Sequence, residues 1–167
     1  MKEHMMADES RNATRLFAAL AAVVLTAALA SGAQRASAGE ATVIDLTQIP
    51  CQFVESENGI DHGFTTTRKA DCDAINTRTG AERLAKAKVL ELKPGKYVFR
   101  VINENVPYDL GFWLRGKGLG RLTLPSVSGG GLSTGVTKDY AIDLKEGEYL
   151  YSCPLNPTPD YRIVVKG

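Results

Sequence analysis

The stretch that decides the fold is the C-terminal run Gly147-Glu-Tyr-Leu-Tyr-Ser-Cys153-Pro-Leu-Asn156-Pro-Thr-Pro-Asp160-Tyr161-Arg-Ile-Val-Val-Lys-Gly167. Large apolar or sulfur-bearing residues occupy every second position on both sides of its prolines; they are Tyr149, Tyr151 and Cys153 before them and Tyr161, Ile163 and Val165 after them. A period of two is typical of strands with one buried face. The run therefore predicts two strands joined by a proline-rich loop that begins at a cysteine.

Shorter runs of the same kind precede this stretch, and glycine or proline turns separate them. They cover residues 41–49, 89–93, 97–102, 109–115, 122–124 and 137–144. About seven short strands divided by such turns predict a β-sandwich. The glycine run Gly129–Gly131 lacks the lysine of a phosphate-binding loop, so it is interpreted as a mobile connection between sheets. Its alternative role is to let the backbone of a partner approach closely.

Residues 51–87 do not alternate. Thr79 and Glu82 have the spacing of a capping box, and Glu82 lies four residues before Lys86, which favours an ion pair on a helix. These signals predict a short helix from about 80 to 88. Because such a helix is too short to be a domain, the segment is interpreted as an insertion between the first two strands.

Residues 1–38 are interpreted as a secretory signal peptide. Two arginines precede the uncharged apolar run Leu16–Ala30, and Ala36-Ser-Ala38 supplies the small residues of a cleavage site. Cleavage would leave a domain of residues 39–167 in the periplasm, an oxidising compartment where disulfides persist. The alternative is a retained membrane anchor, since a helix through this run could almost cross a bilayer.

A second block, Leu92-Lys-Pro-Gly-Lys-Tyr-Val-Phe-Arg-Val-Ile-Asn-Glu-Asn-Val-Pro-Tyr108, resembles the strand and short loop that lead to the first histidine ligand of cupredoxins. The opening stretch resembles the cysteine-bearing ligand loop of the same family. The likeness is to the exported single-domain kind, similar to the cupredoxin domain of periplasmic iron-uptake proteins. It implies an all-β, Greek-key β-sandwich of cupredoxin type with the short helical insertion between its first two strands.

The resemblance places the family's copper ligands at Tyr108, Cys153, Asn156 and, loosely, Asp160. A type 1 copper site needs two imidazoles and a thiolate, with a weak thioether on its axis, so only the thiolate is kept. The family's parallel first strand would bring the insertion over this position, and with it His62, the single histidine after residue 38. The predicted metal residues are therefore Cys153, Tyr108, Asn156 and His62, with copper as the first candidate, iron as the second, and no metal as the third.

The three cysteines allow three pairings, each of which leaves one thiol free. Pairing Cys51 with Cys72 closes a loop of about twenty residues, which stabilises a fold by about 3 kcal/mol in the chain-entropy model. This disulfide is favoured, and Cys51 with Cys153 is the next candidate. With the favoured pair formed, Cys153 is either a buried inert thiol or a ligand.

Residues around Trp113 allow two interpretations. Phe112 and Trp113, with Arg115, Lys117 and Arg121, would suit an aromatic and basic docking face. The favoured interpretation is that Trp113 is a core anchor and that the cations lie on a glycine-rich hairpin.

The charge and the histidine content bear on two classes of function, nucleic-acid binding and nucleophilic catalysis. The chain has a net charge of +1, and residues 1–38 hold four cations and three anions, so the remainder is formally neutral and nucleic acid is not expected as a partner. His62 is the single histidine after residue 38, nucleophilic catalysis of the hydrolase type is not expected, and the protein is predicted not to be an enzyme.

The sequence favours an exported metal-binding or accessory protein for copper or iron, with a degenerate type 1 copper site. Its expected partner is a periplasmic metal-handling or electron-transfer protein, and no stable membrane span is expected after processing. The alternatives are a one-electron copper carrier with unusual ligands and a metal-free structural or interaction module.

Overall fold

The computed structural model describes residues 40–167, so the predicted signal peptide lies outside the described residues. The strands are β1 (Thr42–Ile49), β2 (Gln52–Phe53), β3 (Leu90–Leu92), β4 (Gly95–Asn103), β5 (Leu110–Gly116), β6 (Val127–Leu132), β7 (Thr137–Leu144), β8 (Gly147–Ser152) and β9 (Tyr161–Val165). The α-helix α1 (Lys69–Lys86) lies between β2 and β3, and short 3-10 helices cover Glu55–Glu57 and Gly118–Leu122.

The strands form two mixed sheets. One has the order β2-β1-β4-β7 and the other the order β3-β9-β8-β5-β6. The strand β1 runs parallel to β4, with Thr42 opposite Tyr97 and Gln48 opposite Asn103. Both strands therefore finish at the same end of the molecule.

Aromatic rings fill the space between the sheets. Phe99 of β4 stacks on Phe112 of β5 with ring centroids 5.7 Å apart, and Tyr151 and Tyr161 lie beside them with no exposed surface. The inward positions are those that the alternating sequence pattern predicts. The predicted β-sandwich is confirmed as two mixed sheets with one α-helix.

The helix is longer and begins earlier than predicted. Thr79 does not cap it but lies inside it, where its hydroxyl donates to the carbonyl of Ile75. The start is stabilised instead by Asp71, whose carboxylate accepts the backbone N–H groups of Thr67 and Arg68. The apparent capping box was misleading because a threonine inside a helix can bond to its own preceding turn.

Two predictions in the middle of the chain are wrong. The glycine-rich segment expected to be a mobile connection is strand β6, and residues 122–124, predicted as a strand, are the end of a 3-10 helix and the turn after it. A Cβ at Gly129 would lie 2.9 Å from the ring of Tyr140, so the missing side chain lets that ring pack against the strand. The glycines therefore permit close packing rather than mobility.

A buried ion pair attaches helix α1 to the sandwich. Arg83 donates to both carboxylate oxygens of Glu57, and both side chains are almost fully buried. Arg83 also donates to the carbonyl of Cys51, and Glu57 accepts from the hydroxyl of Tyr161 on β9. The pair thus joins the helix, the segment after β1 and the second sheet.

We expect Arg83→Met to lower the free energy of unfolding by about 3–5 kcal/mol, because it removes the buried guanidinium that pairs with the Glu57 carboxylate and leaves only hydrogen bonds with Tyr161 and His62. Arg100→Met is the matched control. Arg100 makes a similar two-bond pair with Asp139, but both side chains are about half exposed and screened by water, so its loss should change the free energy of unfolding far less than the loss of Arg83. Equal losses in urea unfolding would contradict this account.

The Arg83–Glu57 pair should make the free energy of unfolding depend on pH. Burial alone would raise the pKa of Glu57, but hydrogen bonds from Arg83 and Tyr161 and the charge of Arg83 outweigh it and hold the pKa below its ordinary value. Its stabilising effect is complete above the unfolded pKa, about 4.3, and is lost as the pH falls through the lowered folded value. Urea unfolding from pH 6 downward should show this loss of stability. In Glu57→Gln, the free energy of unfolding should depend less on pH over the same range.

Candidate functional site

The predicted ligand loop lies at the end of the sandwich where β1 and β4 finish. Cys153 directly follows β8, and Asn156 lies three residues further along the loop. Because β1 is parallel to β4, the segment that follows β1 also reaches this end. Tyr108, in the loop after β4, completes the group.

Cys153 is a buried thiol, with 1% of its surface exposed. Its Sγ accepts backbone N–H groups from Gly111, at 3.4 Å, and from Asn156, at 3.2 Å. Burial raises the pKa of the thiol above its ordinary value, and these backbone hydrogen bonds only partly offset the effect. Cys153 is therefore a protonated thiol at neutral pH, a form that neither attacks nor binds metal readily.

Asn156 uses its side-chain amide to hold the backbone. It is fully buried; its Oδ1 accepts the N–H of Cys51 at 3.0 Å, and its Nδ2 donates to the carbonyl of Ile49 at 3.0 Å. Cys51 has a φ of 64°, a left-handed conformation that non-glycine residues seldom adopt. The amide thus joins the cysteine loop to the strained segment that follows β1.

Cys51 and Cys72 form the disulfide of this end. Both are fully buried, and the Sγ of Cys72 lies 3.0 Å from Oδ1 of Asn156. This approach is a contact rather than a hydrogen bond, because a disulfide sulfur carries no proton. The disulfide therefore connects helix α1 to the segment after β1 directly beside Asn156.

Tyr108 is half-buried, and its hydroxyl lies 3.4 Å from both Asn156 Oδ1 and Thr66 Oγ1. It also lies 4.0 Å from the sulfur of Cys72. Burial raises the pKa of the phenol, and the hydrogen bond with Thr66 only partly offsets it. Tyr108 is therefore a neutral hydrogen-bonding group at this site.

The other two candidates bond elsewhere. In the described chain, the His62 ring bonds to Glu57, 2.7 Å from its carboxylate, and the His62 backbone N–H donates to Gln52; no hydrogen bond joins His62 to Tyr108, Asn156 or Cys153. His62 is therefore hydrogen-bonded to the buried Glu57 pair, and a metal role for it beside Cys153 stays a prediction.

Asp160, the loose counterpart of the axial ligand, binds Arg115 at 2.7 Å. Arg115 in turn lies 4.0 Å over the ring of Trp113, and Arg121 lies 5.1 Å from the same ring. Trp113 is therefore on the outer face of the sheet and is not the core anchor that was favoured. Phe112, one residue earlier, is the core residue.

The donor set does not fit a type 1 copper ion. That ion needs two imidazoles and a thiolate, whereas Asn156 and Tyr108 offer an engaged amide and a neutral phenol in place of the imidazoles. Two of the three cysteines are in the disulfide. Gln48 Oε1, the buried side-chain atom without a hydrogen bond in the described chain, is an amide oxygen and not a soft ligand.

The arrangement of strands around this loop decides the fold type. A first strand parallel to the strand before Tyr108, and a cysteine loop between the last two strands, form the arrangement that the resemblance implied. The fold is cupredoxin-like. Among residues 40–167, no group of three or more His, Cys, Asp or Glu side chains could hold a metal ion, and no helix there is long and apolar enough to span a membrane.

The chain is similar to several solved cupredoxin structures. A structure of auracyanin B is 12% identical, with 77% of this chain and 91% of that chain covered and a TM-score of 0.47. Reduced rusticyanin is 18% identical over 77% of this chain and 82% of that one, with a TM-score of 0.41. An oxidised amicyanin variant is 19% identical over 48% and 71%, with a TM-score of 0.33. No protein-family model and no curated protein matches the chain.

Thiol counting should give a distinctive pattern. In the folded protein, we expect no rapid reaction with a thiol reagent, because Cys153 is buried and its pKa is raised. Unfolding without reductant should expose one thiol, and unfolding with reductant should expose three. A fast-reacting thiol in the folded protein would contradict the described environment of Cys153.

Asn156→Ala should destabilise the protein by about 3 kcal/mol, since it leaves the buried carbonyl of Ile49 and the N–H of Cys51 without partners. Asn105→Ala is the matched control, because Asn105 is exposed in the neighbouring loop and its loss should change stability by about 0.5 kcal/mol or less. Urea unfolding of the two variants measures the difference. Equal stability would show that the Asn156 amide does not hold this end together.

Proposed function

We propose that the protein is an exported, non-catalytic accessory protein with a cupredoxin-like fold and a degenerate type 1 copper site. It acts by binding a periplasmic metal-handling or electron-transfer protein rather than by carrying an electron on its own copper. The observation that carries this proposal is the buried amide of Asn156. Asn156 lies where the resemblance places a histidine ligand. Both polar atoms of its side chain are hydrogen-bonded to the backbone.

The donor chemistry favours this proposal over a copper carrier. Carriers change oxidation state with little movement of their ligands, which requires a preformed set of soft donors. Around Cys153 the neighbouring polar atoms bond to each other, and the thiol retains its proton at neutral pH. A metal ion would have to replace several of these hydrogen bonds before it could bind.

The cysteine chemistry supports export. A disulfide between fully buried cysteines is consistent with a protein that folds in an oxidising compartment. This agrees with the predicted signal peptide and with a periplasmic location. We assign no catalytic residue. Among residues 40–167, His62 forms hydrogen bonds with Glu57 and Gln52 and with no nucleophilic side chain.

Metal loading tests the proposal. The protein is incubated with Cu(II), Cu(I) and Fe(II) in turn, and then bound metal is counted and the visible spectrum is recorded. We expect no intense thiolate-to-copper absorption band and no stoichiometric metal. A strong band from the parent protein would support the copper carrier instead, and colourless stoichiometric binding that Cys153→Ala abolishes would support a metal escort.

A second experiment tests whether the ligand positions are assigned correctly. Tyr108→His with Asn156→His would place two imidazoles beside Cys153, which completes the trigonal donor set of type 1 copper. We expect this double variant to gain the absorption band with Cu(II). The matched control adds Cys153→Ser to the same background and should lose the band. A folded double variant that binds no copper would show that the correspondence is wrong.

A further inference from the structure

A small pocket opens between helix α1 and the loop that precedes it. The loop contributes Ile60, His62 and Phe64 to its lining, and the helix contributes Arg83 and Lys86. The pocket has a volume of about 270 Å³, and most of its lining surface is apolar. Small-molecule sites begin at about 300 Å³, and an apolar cavity of about 150 Å³ is enough to hold benzene. The pocket therefore has room for a molecule of one or two rings.

Hydrogen bonds hold the loop side of this pocket in place. The side chain of Gln52, which is fully buried, donates to the carbonyl of Ile60 at 2.7 Å and accepts the backbone N–H of His62 at 3.3 Å. The side chain of Asn58 donates to the carbonyl of Lys86, the last residue of α1, at 3.0 Å. The site is therefore formed before a ligand arrives, which lowers the entropic cost of binding.

The charged groups that line the pocket neutralise each other. Arg83 pairs with Glu57 at 2.6 Å, and Lys86 pairs with Glu82 at 2.6 Å. Every nitrogen of the Arg83 guanidinium already donates hydrogen bonds within the protein. A charged ligand would enter without an opposite charge to meet it, and burying an unpaired charge is unfavourable. The pocket therefore favours an uncharged molecule.

His62 offers the pocket an unused hydrogen-bond acceptor. Its Nε2 lies 2.7 Å from the carboxylate of Glu57, which at neutral pH accepts hydrogen bonds and donates none. The neutral imidazole therefore carries its proton on Nε2, which leaves a lone pair on Nδ1. Among residues 40–167, Nδ1 forms no hydrogen bond. The His62 ring stacks on that of Phe64, with centroids 5.5 Å apart, so the acceptor lies beside an aromatic surface.

We propose that this pocket binds an uncharged aromatic molecule with one hydroxyl donor, that is, a phenol. The ring of the phenol lies against Ile60 and Phe64, and its hydroxyl donates to Nδ1 of His62. Ile60 is 53% exposed, so the bound ring covers apolar surface that now contacts water. The apolar contact supplies most of the affinity, and the hydrogen bond selects a phenol over a hydrocarbon of the same shape.

Nuclear magnetic resonance titration of the protein with phenol and with toluene tests the proposal. Toluene has the same shape as phenol but has no donor, and benzoate serves as a charged probe. The chemical shifts of the Ile60 methyl groups and of the His62 Nδ1 report binding at the pocket. We expect phenol to shift both sets of signals, toluene to shift the Ile60 signals alone, and benzoate to shift neither.

Variants separate the two parts of the proposal. His62→Phe keeps a ring beside Phe64 and removes the acceptor, so the preference for phenol over toluene should fall about tenfold, the factor that corresponds to one net hydrogen bond. Ile60→Ala should weaken the binding of both probes several-fold and keep the preference. Leu119→Ala is the matched control, because Leu119 is 86% exposed and does not line the pocket, so its loss should change neither.

Three results would overturn the proposal. They are a titration in which phenol shifts no Ile60 signal, a preference that His62→Phe leaves unchanged, and tighter binding of benzoate than of phenol. The lining of the pocket includes none of Cys153, Tyr108 and Asn156, and the titration uses no metal. This test and the metal-loading test therefore fail independently.

Discussion

The buried amide of Asn156 is the contact on which the Cys153 end of the molecule depends. A side-chain amide has two donors and one acceptor oxygen, and burial makes each unsatisfied atom unfavourable. Asn156 meets this requirement by bonding to Ile49 and Cys51, the residues that end β1 and begin the segment leading to helix α1. The same residue donates its backbone N–H to Cys153. Asn156 therefore joins the cysteine loop to the segment around Ile49 and Cys51, which lies 107 and 105 positions earlier in the chain.

This role contrasts with that of a metal-binding imidazole. An imidazole ligand must leave a nitrogen lone pair directed at the ion, and its other nitrogen is usually hydrogen-bonded for orientation. The amide instead directs its polar atoms at the backbone, and the disulfide beside it fixes the segment that it binds. The cupredoxin-like scaffold thus has a hydrogen-bonded and covalently closed end beside Cys153.

Helix α1 depends on a second buried contact, the pair between Arg83 and Glu57. No local pattern indicates this pair, because the two residues are 26 positions apart and both would ordinarily be solvated. The pairing follows only from the packing of the helix, because a buried charge is unfavourable unless it is paired with an opposite charge. The same carboxylate also accepts a hydrogen bond from the His62 ring, so His62 and Arg83 share Glu57 as a partner.

Prediction from sequence succeeded where a period of two recurs, because a strand buried on one face can bury its apolar residues in only one register. It failed for the start of α1 and for β6. In the first case Thr79 imitates a cap, and in the second the glycines that suggest a loop are needed where Tyr140 packs against the strand. The prediction that Trp113 is a core residue is wrong. Alternation along a strand shows which residues share a face of the sheet, but it does not show which face is buried.

The sequence by itself determined the sandwich, the position of the cysteine loop and the loss of the imidazole ligands, since these follow from local periodicity and residue identity. Only the tertiary structure decided what replaced those ligands. The partners of Asn156 and Tyr108 lie far away along the chain, and hydrogen bonding among buried groups is satisfied in three dimensions rather than in sequence.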